Sequence, residues 1–193
     1  MRIAVSRYPV GSPASFEEFA ARQALVLGEA AAAGARIAVL PEYLSLELAA
    51  SFGRPIFSDL CASLVAIQQY RQRWLELFSG LARELDMHVV AGSFLLDGGN
   101  GRFRNRCDWL TPQGLHLWQD KLQLTGFEKN TGIIDPGDVL KVFEIDGIRI
   151  GVAICYDSEF PLPVRRQYEA GARLLIVPSC TDTAAGAMRV RIG

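Results

Sequence analysis

Apolar residues fall into short runs and helical stripes that alternate along the chain. Residues 2–5 form a short apolar run, which predicts a first strand. Ser15, followed by Phe16, Glu17 and Glu18, fits a capping box, with Ser and Glu satisfying the free backbone donors of a helix start. The alanine-rich segment after it runs to Ala33, and Gly34 stands where a left-handed cap belongs. Residues 36–40 are a fully apolar strand that stops at Pro41-Glu42. This β-α-β order predicts two strands covered by a helix.

Leu60, Leu64, Ile67, Trp74, Leu77, Leu81 and Leu85 recur at helical spacing and predict a second long helix with one core-facing stripe. Residues 87–96 read as a strand that ends in the turn-forming Asp97-Gly98-Gly99-Asn100-Gly101. Thr111-Pro112-Gln113-Gly114 predicts a turn between strands at 106–110 and 115–119. Asp146-Gly147 predicts another between 139–145 and 148–154. A short helix follows Phe160-Pro161 and ends at Gly171, and residues 173–177 form a further buried strand. Residues 184–193 look like the start of another helix. With no repeat or linker-like stretch, the pattern describes one domain, 1–193, with a mixed sheet system covered by helices.

Composition narrows the possible partners. Of 193 residues, 50% are hydrophobic and 21% charged, which suits a core-forming domain and excludes a disordered chain. Twenty Lys and Arg against 21 Asp and Glu leave a net charge of −1, with no electrostatic reason to expect nucleic acid or an anionic membrane as partner. No apolar run approaches the ~20 residues of a membrane span, and Ser6-Arg7 interrupts the N-terminus too early for a signal-peptide core. The expectation is therefore a cytoplasmic protein, whose four cysteines read as thiols and not as a disulfide framework. Only two histidines leave little for a metal site or a Cys-His pair.

Chemistry is best sought where strands end. Residues 148–154 run straight into Cys155-Tyr156-Asp157, and a helix starts soon after, as at a nucleophile elbow. The plainer reading of Cys155 is a small buried hydrophobe. Cys61, Cys107 and Cys180 carry no chemical context and read as structural. His88 and His116 have no Asp or Asn partner at recognisable spacing, so a base for Cys155 is sought among carboxylates. Glu42, directly after a strand and flanked by Pro41 and Tyr43, is the best candidate, since partial desolvation would raise its pKa towards that of a general base. Lys121 follows the strand at 115–119, with Glu128 seven residues on. An ammonium held by a carboxylate could stabilise an oxyanion. Taken singly, Glu42 reads as a loop glutamate, and Lys121 and Glu128 as exposed charges.

Glu42 in Leu-Pro-Glu, Lys121 in Asp-Lys-Leu and Cys155 in Ile-Cys-Tyr-Asp together resemble the Glu-Lys-Cys triad of the nitrilase, or carbon–nitrogen hydrolase, superfamily, in the family's order and 79 and 34 residues apart. The resemblance extends over nearly the whole chain. Arg104-Asn105 sits like the family's strand asparagine, and Glu128 matches its second glutamate. Residues 171–179 resemble the strand after the cysteine helix, and Arg189 and Arg191 the arginine-bearing helix beyond it.

The resemblance implies a four-layer α-β-β-α sandwich, paired into homodimers or larger homo-oligomers, that needs no cofactor or metal. It implies a small-molecule amide or nitrile as substrate, with Cys155 as nucleophile, Glu42 as base and Lys121 as oxyanion stabiliser. Glu128 would orient Lys121 or the substrate nitrogen, and the backbone N–H of Tyr156 would assist at the oxyanion. Tyr156-Asp157 stands where true nitrilases often carry Trp-Glu, so the amidase-like branch and a linear carboxamide are expected. A nitrilase acting on a small nitrile and a catalytically silent relative with a binding or assembly role are the alternatives. Loops at 43–58 and 181–186 are expected to set specificity. The family's domain continues past the arginine helix, so the resemblance also implies missing C-terminal elements and apolar surface at a broken sheet edge.

Overall fold

A computed structural model describes residues 1–181 and 183–192. Asp182, within the expected loop at 181–186, and Gly193 lie outside the described residues. Three strands, β1 (Ile3–Val5), β2 (Ile37–Val39) and β3 (His88–Gly99), lie parallel in that order. Next to β3, β4 (Arg102–Leu110) returns antiparallel, and β5 (His116–Asp120) pairs with β4 in turn. The short β6 (Ile134–Asp135) joins β4 at Phe103 and Arg104. A second sheet holds β7 (Val142–Ile145), β8 (Ile148–Val152) and β9 (Leu174–Ile176). Its hairpin turns on Asp146 and Gly147, both at positive φ as such a turn requires.

Seven α-helices complete the described residues. They are α1 (Phe16–Ala32), α2 (Arg54–Phe57), α3 (Leu60–Ile67), α4 (Arg71–Glu84), α5 (Gly126–Thr131), α6 (Pro161–Glu169) and α7 (Ala184–Ile192). Phe19, Leu27, Leu64, Ile67, Trp74 and Phe78 bury the helical stripes of α1, α3 and α4 in one core with Val89, Ala91 and Phe94 of β3. The alternate residues of the same sheet, Ile37, Val39, Val90 and Trp109, face the second sheet through Phe143, Ile150, Val152 and Ile176. On the outer face of β8, Gln167 of α6 donates to the Val152 carbonyl at 3.0 Å, in space that Gly151 leaves by having no side chain. Layering is therefore α-β-β-α.

Several expectations change in detail. The long second helix is two helices, α3 and α4, joined by a 3₁₀ turn at Gln68–Tyr70. Gln68 causes the break by reaching sideways to β3, donating to the Leu95 carbonyl at 2.8 Å and accepting from Asp97 N–H at 3.0 Å. Ser15 caps α1 as expected, but Glu18 reaches the N–H of Ala14 and not that of Ser15, so the box does not close. The segment at 43–58 is not a loop. Leu44–Phe52 forms a 3₁₀ helix with Leu44, Leu48 and Ala49 in the core, and α2 follows. The strand expected from residue 139 begins at Val142, because Gln119 holds the approach by donating to the Val139 carbonyl and accepting from Lys141 N–H.

One glycine controls how β2 meets β3. Between Val90 and Ser93 the strand bulges, Gly92 takes φ +69°, and the Pro41 carbonyl oxygen lies 2.0 Å from where a Cβ would stand. Gly92→Ala is expected to cost at least ~2 kcal/mol, because both the backbone conformation and the contact forbid it. Gly28→Ala, in α1 with nothing near its Cβ, is expected to stabilise by ~0.5–1 kcal/mol. Urea unfolding of the two variants reads the opposite signs.

Candidate active site

Strand ends place the key side chains. Glu42 leaves β2 one residue after Pro41, which is seated on Gly92. Tyr43 turns the chain at φ +61°, and its N–H donates to Ser93 Oγ at 2.8 Å. Lys121 follows β5, its N–H bonded to the Asn105 carbonyl at 2.8 Å and its carbonyl to Gly137 N–H at 2.7 Å. Cys155 leaves the β8 end at φ +48°, a sharp elbow held by its N–H on the Pro178 carbonyl at 2.9 Å. Glu128 enters on α5, whose Thr125 cap and Glu128 form a closed capping box.

Asp157 joins two of these elements. Its carboxylate accepts from Ile154 N–H at 3.0 Å, just before the elbow, and from Leu122 and Gln123 N–H at 3.0 and 2.6 Å, just after Lys121. Burial pushes its carboxyl up to about 6, opposed by these backbone donors. The bonds fix Lys121 and Cys155 relative to one another.

At the centre lies a buried charge cluster. Lys121 Nζ bonds Glu42 Oε1 at 2.8 Å and Glu128 Oε2 at 2.9 Å, and all three side chains are at most 1% exposed. Asn105 Nδ2 donates to Glu42 Oε1 at 2.9 Å and to Glu128 Oε1 at 3.2 Å, while the Tyr43 hydroxyl donates to Glu128 Oε1 at 2.5 Å. Glu42 Oε2 accepts from Cys180 N–H at 3.3 Å, and the Glu42 carboxyl group lies beside the Cys155 thiol. The thiol itself lies 3.8 Å from the Cys180 carbonyl.

Burial and charge set the protonation. Burial pushes Glu42 above its usual range, and Lys121 opposes the shift without cancelling it. Burial also raises the Cys155 thiol, to about 12, with the Glu42 carboxylate adding to the effect. Desolvation alone would lower the Lys121 pKa, but Glu42 and Glu128 outweigh it and hold the ammonium above its ordinary value. Glu128 is likewise favoured by burial to rise, yet Lys121 and Tyr43 hold it below. The set therefore presents a thiol whose ionisation is disfavoured beside the Glu42 carboxyl group and a fixed ammonium.

All the expected site residues meet at one cavity of about 640 Å³. Glu42, Lys121, Cys155 and Tyr156 line it, and Glu128 stands behind Lys121. Lys121 and Glu128 are thus not the exposed charges that each resembles alone. Asn105, part of the family resemblance, carries the clamp on both carboxylates. Phe103, Asn105, Cys107 and Trp109 are the inward positions of β4, so a polar residue in that apolar alternation is the signal that marks it. Cys180 contributes backbone, which no side-chain pattern reveals. Contrary to expectation, His116 has a carboxylate partner, Asp108, at 2.8 Å. That pair belongs to a buried tether with Arg71 and Trp74 of α4, on the helix side of the sheet. Among the described residues no group of three or more His, Cys, Asp or Glu side chains is placed to share a metal ion.

A family model for carbon-nitrogen hydrolases matches residues 2–190. The chain belongs to the carbon–nitrogen hydrolase family. Among curated relatives, probable hydrolase YhcX of Bacillus subtilis is 30% identical over 194 residues, covering 99% of this chain and 36% of YhcX. Omega-amidase NIT2-B of Xenopus laevis is 26% identical over 169 residues, covering 83% of this chain and 57% of that protein. The chain thus spans roughly a third to three-fifths of the length of these relatives. A crystal structure of an amidase from Nesterenkonia sp. superposes with a TM-score of 0.74 at 21% identity, over 97% of this chain and 68% of that one, and shows the shared nitrilase-type fold. Among the described residues of this carbon–nitrogen hydrolase, no helix is long and apolar enough to cross a membrane.

Two outcomes follow from the charge cluster. Lys121→Met strands two buried carboxylates, and at pH 8 it is expected to cost ~3–5 kcal/mol in urea unfolding. Without the ammonium both carboxyls hold folded-state pKa values above their unfolded ones, a stability present at low pH and lost as pH rises. The deficit against the parent chain should therefore narrow towards pH 5. With its thiol raised to about 12, Cys155 is expected to react with iodoacetamide about tenfold faster per pH unit without a plateau by pH 10, as site-resolved mass spectrometry would read.

Proposed function

We propose that this chain hydrolyses the carbon–nitrogen bond of a small linear carboxamide to a carboxylate and ammonia, through a thioester on Cys155. The observation that carries the reading is the division of labour on Glu42. One carboxylate oxygen is fixed by Lys121 and Asn105, the other accepts from Cys180 N–H, and the carboxyl group lies beside the thiol. The amidase and omega-amidase names among its relatives point the same way.

The thiol is neutral at rest, so it needs a base as it reacts. Glu42 takes the Cys155 proton while Sγ bonds to the amide carbon, and the carbonyl electrons move to oxygen. An ammonium has three donors, and Lys121 spends two on Glu42 and Glu128. Its third is left for the developing oxyanion, with the backbone N–H of Tyr156 at the elbow as the second donor. The oxyanion collapses, the carbon–nitrogen bond breaks, and Glu42 passes its proton to the nitrogen, which leaves as ammonia. Glu42 then takes a proton from water, the hydroxide attacks the thioester, and the carbon–sulfur bond breaks. The proton returns to sulfur. Glu128 keeps Lys121 charged and aimed throughout.

Tyr156-Asp157 after the nucleophile supports an amide over a nitrile as substrate. Ammonia release from matched small amides and nitriles tests this, with amides expected to be preferred and a nitrile-only profile overturning the preference. Cys155→Ala and Glu42→Gln are each expected to lower amide turnover by about 10³-fold or more with near-UV circular dichroism unchanged. Undiminished turnover by folded Cys155→Ala would refute the mechanism.

A further inference from the structure

The cavity carries a further pair of charged residues that the reaction chemistry does not use. Among the described residues, the charged residues lining it besides Glu42 and Lys121 are Glu159 and Arg189. Glu159 closes the 3₁₀ helix Cys155–Glu159, four residues beyond the nucleophile. That helix is rigid at its start, where Ser158 Oγ donates to the Cys155 carbonyl at 2.8 Å. Arg189 comes from α7, and its Nε lies 3.8 Å from Glu159 Oε2. The side chains are unequal, with Glu159 22% exposed and Arg189 63%.

The ion pair is long, and its cation is largely solvated, so it contributes little and can open at small cost. Glu159 is the more buried charge of the two. Phe127 and Tyr156 line the same cavity, and aromatic faces favour a cation over an anion. A substrate end that reaches Glu159 meets a carboxylate and aromatic surface.

We infer that Glu159 is a specificity-determining residue that selects amides bearing an ammonium group at the end away from the scissile bond. Arg189 is its exchangeable counter-ion, displaced to solvent when such a substrate binds. The inference rests on the proposed amide hydrolysis for the identity of the scissile group, but the charge preference itself does not depend on turnover.

Ammonia release is compared for three amides of similar length: 4-aminobutanamide, butanamide and succinamate. For the parent chain, kcat/KM is expected to be about tenfold or more higher for the cationic amide than for the anionic one. The ratio should fall towards unity in Glu159→Gln and invert in Glu159→Lys, whereas Arg189→Gln should widen it. In parallel, Cys155 is modified with aminoethyl and sulfonatoethyl methanethiosulfonate, and the labelled peptide is quantified. The same order of preference and the same loss in Glu159→Gln are expected. Preference for succinamate in the parent chain, or a ratio unmoved by Glu159→Gln, would overturn the inference while leaving amide hydrolysis intact. A Glu159-dependent reagent preference with no amide hydrolysed would support the pocket's selectivity and refute the hydrolase reading.

Discussion

A buried ammonium between two buried carboxylates is the constraint around which this molecule is arranged. Lys121, Glu42 and Glu128 come from three separate segments, each is almost wholly out of water, and none is affordable alone. Each of the three segments is therefore held by its own device. Gly92 lets Pro41 approach and aims Glu42. Asp157 ties the residues after Lys121 to the cysteine elbow. A closed capping box on α5 presents Glu128. Asn105 spans both carboxylates from the centre of β4. The two sheets supply the rigidity behind these devices, since β2, β4 and β5 deliver the carboxylate, amide and lysine and β8 delivers the thiol.

The cluster also determines what the cysteine can do. In many thiol enzymes a neighbouring cation lowers the thiol pKa and yields a resting thiolate. Here burial and the Glu42 carboxylate act in the opposite sense, and Lys121 is drawn away by its two partners. In the proposed mechanism, nucleophilicity is therefore generated during the reaction, by proton transfer to Glu42. The scarcity of histidine fits the proposed mechanism, in which the carboxylate takes the base's role and the lysine the electrophile's.

Much of this was legible in the residue pattern, and the gaps have physical causes. Cys155 and Glu42 stand at strand ends, where α/β folds gather functional groups, and local sequence marks them. Lys121 and Glu128 read individually as solvated charges because hydropathy knows nothing of a partner 79 residues away in sequence. Only the family resemblance joined them. Apolar runs and turn residues gave the strands, helical stripes gave the covering helices, and the family resemblance gave the sandwich. None of these gave the break at Gln68, where a side chain competes with the helix for its own register, nor the helical packing of Leu44–Phe52, which depends on a surface built by β3. The backbone groups of Cys180 and Ser93's support of Tyr43 arise from the fold alone.

The central claim is that Glu42, Lys121 and Cys155 act as one unit through a covalent intermediate on sulfur. Rapid acid quench during turnover of a small amide, followed by peptide mass spectrometry, tests it directly. The expected result is an acyl adduct confined to the Cys155 peptide, formed in step with one equivalent of released ammonia. Steady amide hydrolysis with Cys155 unmodified at every time point would contradict it.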